Sequence, residues 1–273
     1  MNKLSVIMTT YNEDAHHLKK CIDSVLGQTF SDFQFIIVIE PNERNKEYLM
    51  QMADADKRLS VLENERREGK SESRNKAVIE SDSDLIAIMD GDDYCDERRF
   101  EKQVSFLEDH PEIGIVGSNM HLIDIDGNVF GERRYPEDHY RIRKAFLIRD
   151  PLANPTLIIR KSIFQENGFF DPKFPAAEDF ELLLRFLAQK VRMHNLQENL
   201  LYYRVRPDEN RGREFWQCYY LARREQSKFL WPFYRRFPVL SGYFLLAHMP
   251  NILLSALLKL LVVNKLRSIN KVR

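Results

Sequence analysis

The sequence predicts an α/β protein with a mostly parallel central sheet flanked by helices and a helical C-terminal extension. Three observations predict it. Short apolar runs alternate with helical patterns at close spacing through the first 117 residues, as in strands joined by crossover helices. Polar clusters follow three of those runs directly, where such sheets bind ligands. Beyond residue 213 the chain becomes apolar and basic by turns.

Each element has its own reason. Leu4-Ser5-Val6-Ile7-Met8 is a buried strand, followed by the polar Thr9-Thr10-Tyr11-Asn12-Glu13-Asp14. Leu18, Cys21, Ile22, Val25 and Leu26 recur at helical spacing. Phe33 to Ile39 is a second strand, stopped by the turn Glu40-Pro41-Asn42. A helix over 45–55, a strand over 59–62, a helix over 71–81 and a strand over 85–89 follow. Phe100, Val104 and Leu107 mark the inner face of a helix over 98–107, and 113–116 is a fifth strand. After Gly117 the rhythm changes. Asp124-Ile125-Asp126-Gly127-Asn128 predicts a hairpin turn. A helix over 140–147, a strand over 155–159 and a helix over 180–187 come next. That last helix is introduced by Glu178-Asp179, acids that suit a helix start. Residues 191–196 and 200–205 are extended. The expected organisation is one unit over 1–213, in halves 1–117 and 118–213, and an extension over 214–273.

Composition excludes more than it assigns. Lys plus Arg and Asp plus Glu are 41 each, so a nucleic-acid partner, which favours a basic surface, is not expected. Cys21, Cys95 and Cys218 are odd in number and form no CxxC pair, against a disulfide framework or a cysteine zinc site. Met1-Asn2-Lys3 leads straight into a strand without an apolar leader, so a cytoplasmic location is expected. Residues 237–258 contain no Asp, Glu, Lys or Arg, and the apolar character runs on to Val263 between basic blocks. This predicts contact with a membrane surface through 237–263, peripheral on the inner face of the membrane. His248-Met249-Pro250-Asn251 interrupts it, and two helices packed on the main unit or on a partner subunit, or a true span, are the alternatives.

The polar clusters carry the chemistry. Three carboxylates in Asp90-Gly91-Asp92-Asp93 repel one another unless a cation relieves them. Magnesium or manganese, held jointly by carboxylates and a substrate's phosphates, fits that need. A solvated turn capping the next helix is the plainer alternative. Thr10, Tyr11 and Glu13 offer a hydroxyl, a ring and a carboxylate that suit a base and ribose, though a helix-capping turn has the same composition. Glu40 can accept from a base N–H or a ribose hydroxyl. Gly69-Lys70-Ser71 ends like a P-loop, but Asn64 stands where its first glycine belongs, so that reading fails. Lys70 or Arg74 can still neutralise a diphosphate, as can Arg204 and Arg206; a charged surface explains them equally. Asp179, at a helix start, is a candidate general base or a simple cap.

In this order the residues resemble the inverting glycosyltransferases of family 2, with the GT-A fold, of the bacterial cell-surface polysaccharide type (lipopolysaccharide or capsule). The resemblance runs from Lys3 to Arg206. It is carried by Ser5-Val6-Ile7-Met8-Thr9-Thr10-Tyr11-Asn12, by Ser24-Val25-Leu26-Gly27-Gln28-Thr29 and by Arg74-Asn75-Lys76-Ala77. Asp90-Gly91-Asp92-Asp93 stands as the DxD-type signature, and Phe169-Phe170-Asp171 with Glu178-Asp179-Phe180-Glu181-Leu182 closes the series. It implies a Rossmann-like nucleotide-binding half over 1–117 and an acceptor half over 118–213. It implies a hexosyltransferase-like enzyme moving one sugar from a nucleotide-sugar donor, a UDP-sugar, to a saccharide or lipid-linked saccharide. Thr10, Tyr11 and Glu13 would surround the nucleobase, Glu40 the base or ribose, and Arg74 the base or diphosphate. Asp90 and Gly91 would lie by the ribose, Asp92 or Asp93 would contact a divalent metal (Mn²⁺ or Mg²⁺), Asp92 being favoured, and Asp179 would be the base. Glu40-Pro41-Asn42-Glu43 departs from the family's usual acidic run, which leaves the base identity open. The Q-x-x-R-W element of processive synthases is absent, so one sugar per encounter is expected. A nucleotidyltransferase would carry a glycine-rich loop where Thr9-Thr10-Tyr11-Asn12 stands. A non-catalytic binding protein on the same fold is disfavoured by the intact acidic clusters.

Overall fold

The computed structural model describes residues 2–206, 213–226, 230 and 233–248. Its first half is built as the alternation predicts: β1 (Leu4–Thr10), α1 (Ala15–Leu26), β2 (Phe33–Ile39), α2 (Lys46–Ala55), β3 (Leu59–Glu63), α3 (Lys70–Glu80) and β4 (Leu85–Asp90). These strands lie in the order β3-β2-β1-β4, all parallel. From β1 the chain winds outward to β2 and β3, then α3 carries it back to β4 on the other side of β1. The strand order therefore reverses at β1, which opens a crevice beyond the C-terminal ends of β1 and β4. The registers Thr10↔Ile39 and Thr9↔Asp90 bring the three polar clusters level with one another at that edge.

Burial explains why the strands are apolar at nearly every position. Val6, Met8, Phe35, Ile37 and Ala87 enter a core beneath α1 and α4, while Ile7, Ile36, Val38, Ile86 and Ile88 enter a second core beneath α3 and α7.

The second half comprises β5 (Tyr94–Cys95), α4 (Arg99–Asp109), β6 (Ile115–Ile123), β7 (Val129–Arg133), α5 (His139–Ala145), a 3₁₀ turn over Asn154–Thr156, β8 (Ile158–Arg160), α6 (Lys161–Asn167), α7 (Glu178–Ala188) and β9 (Met193–Arg204). It corrects the expectation of a mostly parallel sheet. The full order is β3-β2-β1-β4-β8-β6-β9-β5 with β7 beside β6. β8 is antiparallel to β4 and β6, β7 to β6, and β5 to β9, while β6 and β9 of this half pair in parallel. β7 is antiparallel to β6 because the two are joined by the Asp124–Asn128 turn, which returns the chain on itself. Gly127 adopts φ 89° there, and the Asp124 and Asn128 backbones close the loop.

The extension begins with α8 (Arg213–Gln226) and α9 (Phe233–His248). Tyr219 of α8 stacks on Phe180 of α7 at 3.8 Å between ring centroids. Tyr243 of α9 donates to the Ile148 carbonyl at 2.6 Å. The expected membrane contact through 237–263 is overturned: no helix among the described residues is long and apolar enough to cross a membrane. The described part of α9 is 16 residues with Pro238 inside it, and its Tyr243 faces α5's exit. The remainder of that stretch, from residue 249, lies outside the described residues.

Candidate active site

At the end of β1, Asn12 takes φ 58°, a left-handed conformation that its neighbours hold in place. Its N–H donates to Glu43 Oε2 at 2.6 Å, and its side-chain oxygen accepts from the Arg44 N–H at 2.9 Å. Glu43, 4% exposed, also accepts from the backbone and side chain of Asn45. It is the anchor of this turn, and only the acidic turn after β2 hinted at it. Thr10 is buried with its hydroxyl unpartnered. Tyr11 is exposed, with Arg67 4.6 Å above its ring. Glu40 is taken up by α3: it accepts from the N–H groups of Glu68 and Gly69 at 3.0 and 2.8 Å and from the Ser73 hydroxyl. Burial opposes its ionisation, but those two backbone donors prevail and hold its carboxyl below the usual range.

Two acids of the Asp90–Asp93 run part company. Asp93 is 1% exposed, and its Oδ1 accepts from the Arg204 N–H at 2.8 Å, while Oδ2 has no partner among the described residues. Asp92 keeps its carboxylate at the crevice, 2.8 Å from Arg206, which also grips Glu13. Burial and then the nearby Asp90 raise the Asp92 carboxyl above its ordinary range. Gly91 separates them; a Cβ there would meet only ordinary contacts with Glu13, Leu18 and Met8. Arg204, expected near a diphosphate, is buried and donates to the carbonyls of Asp92, Asp124 and Ile125.

Arg74 joins the two halves. At 2% exposure it donates to Asp90 Oδ1 at 2.8 Å and to Glu178 Oε1 at 2.6 Å. Next to it, Asn75 and the Phe170 backbone exchange hydrogen bonds of 2.8 and 2.9 Å, which fixes the segment leading to α7 against α3. α7 starts from Ala177 at φ 63°, strained for an L-residue, so that Glu178 turns inward to Arg74. Asp179 follows, its Oδ1 accepting from the Phe180 N–H at 2.7 Å. Burial first, then the Glu178 carboxylate, push the Asp179 carboxyl up to about 6; Arg74 pulls the other way.

A cavity of about 800 Å³ brings Lys70, Arg74, Asp90, Glu178 and Asp179 together with residues of the second half and of α8 and α9. Thr10, Tyr11, Glu13, Glu40, Gly91, Asp92 and Asp93 do not line it; they belong to the crevice edge at β1, β2 and β4. Among the described residues no three His, Cys, Asp or Glu side chains are grouped to hold an ion by themselves. Asp92 nonetheless suits a cation shared with a ligand's phosphates: its carboxylate reaches the crevice, and the acids Asp90 and Glu13 crowd it.

The sequence model of the family described as glycosyl transferase family 2 matches residues 5–168. An uncharacterized glycosyltransferase of Methanocaldococcus jannaschii is 32% identical over 210 residues, 76% of this chain and 72% of the relative. The O-antigen biosynthesis glycosyltransferase WbnJ of Escherichia coli is 30% identical over 234 residues, 84% of this chain and 90% of the relative. Among solved structures, S. aureus TarS 1-349 in complex with UDP-GlcNAc superposes with a TM-score of 0.69 at 18% identity, over 89% of this chain and 71% of that one. Against a longer TarS crystal structure the TM-score is 0.68 at 19% identity, and this chain spans 43% of that one.

Proposed function

The chain belongs to glycosyl transferase family 2 and is a glycosyltransferase using a nucleotide-sugar donor, and we propose that it transfers one sugar from a UDP-sugar with inversion, Asp179 acting as general base. The observation that carries this reading is the Asp90–Arg74–Glu178 bridge, which ties the donor crevice to the residue beside Asp179.

The acceptor is a saccharide or lipid-linked saccharide. Its hydroxyl oxygen forms the new bond to the anomeric carbon while the bond from that carbon to the diphosphate oxygen breaks. The hydroxyl proton passes to Asp179 and the electron pair leaves with the nucleoside diphosphate. A carboxyl titrating at about 6 is mostly ionised at neutral pH, yet basic enough to take that proton. Tyr11, Glu13 and the unpartnered Thr10 hydroxyl serve the nucleobase end, and Lys70, exposed at the start of α3, faces the diphosphate. Glu40 acts by fixing the start of α3 and with it Lys70 and Arg74. Asp92, rather than the buried Asp93, would hold a divalent cation, manganese or magnesium, together with the donor's phosphates; when bound, it supplies charge stabilisation of the leaving diphosphate.

The test is a panel of nucleotide-sugars, with and without manganese, read by binding and by slow hydrolysis, followed by Asp179→Asn with the donor selected. The variant is expected to bind donor normally and to lose about 10²–10⁴-fold in transfer. No donor binding at all, or full transfer by the variant, would sink the proposal.

A further inference from the structure

The cavity at Asp179 is far larger than one hydroxyl needs, and its charges are unevenly answered. Of its acids, Asp90 and Glu178 are both bonded to Arg74, and Asp179 is reserved for the proton. The second half adds one further acid, Asp150, against Arg133, Arg134 and Arg149. Arg134 pairs with Glu132 at 2.8 Å, and Arg133 and Asp150 have partners of their own. The Arg149 guanidinium has no hydrogen-bond or ion-pair partner among the described residues, although its carboxylate neighbour Asp150 is next in sequence. Neutral sugars do not call for a cation held ready in this way; an acidic group does, because a guanidinium fork matches a carboxylate or phosphate with paired hydrogen bonds.

Two further groups in the lining point to a polyhydroxylated ligand. Asn154 is 5% exposed with its side-chain oxygen unpartnered, and the Trp216 indole N–H is likewise buried without a partner. One is an acceptor and the other a donor, and a sugar hydroxyl answers both. Trp216 stands with Tyr243 in a stacked pair, 5.9 Å between centroids, offering the apolar faces against which a pyranose ring packs.

We infer that the acceptor is an acidic glycan, a saccharide bearing a carboxylate or phosphate that Arg149 seats while its sugar ring lies against Trp216. This rests on the transferase reading of the same cavity. The acid at the far side of the acceptor sets which hydroxyl reaches Asp179, so Arg149 determines specificity and the proton transfer remains with Asp179.

The experiment uses the full chain with the donor selected by the panel, and compares methyl glucuronide, glucose 6-phosphate and methyl glucoside as acceptors. Binding of each to the chain loaded with nucleoside diphosphate is followed by ligand-observed NMR. An acidic compound is expected to exceed the neutral glycoside by about tenfold in kcat/KM, about 1.4 kcal/mol, mainly through KM. A preference for carboxylate or for phosphate identifies which acid is read. Arg149→Ala is expected to bring the ratio close to one, and Arg149→Lys to restore part of it. Equal use of acidic and neutral acceptors, binding of none of the acidic compounds, or a preference that survives Arg149→Ala overturns the inference. Donor hydrolysis by the wild-type chain separates the two failures: hydrolysis without acid preference removes this inference alone, and loss of hydrolysis and donor binding removes the transferase reading with it.

Discussion

Burying the Arg74 guanidinium at 2% exposure is tolerable because Asp90 and Glu178 answer it from either side. Glu178 then stands beside Asp179 as a fixed anion, and this has consequences in pH. The groups facing Asp179 are Glu178, Arg74 and Lys70, with the Phe180 N–H. On the proposed mechanism Asp179 works as the anion, so kcat/KM should rise with pH through about 6. Glu178→Gln removes the repelling charge and should move that limb to lower pH; an unmoved limb would show that Glu178 does not tune the base. The sign for stability is opposite. The folded chain holds the Asp179 proton more tightly than the unfolded chain, so ionisation weakens the fold as pH rises from about 4 through 6. Asp179→Asn should therefore be more stable at pH 7.5 by on the order of 1–3 kcal/mol, a gain that disappears below about pH 4 in urea titrations. At the neighbouring acids, Asp92→Asn should abolish manganese binding in the presence of nucleoside diphosphate, read by electron paramagnetic resonance. Asp93→Asn should retain it, since Asp93 is 1% exposed and bonded to the Arg204 N–H.

At the scale of elements, strands β1, β2 and β4 and the apolar faces of α1 and α4 were legible because both sheet faces are buried and leave no polar positions to blur the pattern. β5 is two residues long and α6 seven, too short to show a period, and both were missed. β8 was anticipated from Pro155, but Asn154–Thr156 forms a 3₁₀ turn, as proline at a helix start favours, and the strand begins at Ile158. The acidic start of α7 was legible, whereas the left-handed Ala177 before it was not: alanine carries no signal for φ 63°. That residue supports a prediction. Ala177→Gly relieves a strained backbone at the loss of one buried methyl, and should raise stability by up to about 1 kcal/mol. A drop in the urea midpoint would mean that the methyl's packing outweighs the strain.

Across the whole molecule, the strand ends around β1 and β4 are legible in the sequence and the far wall of the cavity is not, for a reason visible at Arg223. Arg223 and Arg224 enter the composition as part of a basic block beside an apolar stretch, the pattern of a surface that meets lipid headgroups. In the fold Arg223 is 2% exposed, within 4.6–4.9 Å of the ring centres of Phe180, Tyr219 and Tyr243, and donates to the carbonyls of Phe146 and Leu147 at 2.6 and 2.7 Å. Charge counting cannot separate such an arginine from one in water; only the tertiary contacts do. The consequence is that α8 and α9 complete the cavity from the far end of the chain, with Tyr243 against the same residue that joins α7 to the end of α5 and Trp216 stacked on Tyr243. Arg223→Met keeps the bulk and removes three hydrogen bonds, the two to the carbonyls worth about 1.5–3 kcal/mol each and a longer one to the Tyr219 hydroxyl. It should lower the unfolding free energy by about 2–4 kcal/mol and increase hydrogen exchange across α8 before any change in β1, β2 or β4. Donor binding should persist, because Thr10, Asp92 and Lys70 lie on elements that Arg223 does not touch, while the acceptor KM should rise as the Trp216 wall loosens. Donor binding that falls in step with acceptor use would instead mean that the two halves unfold as one cooperative unit.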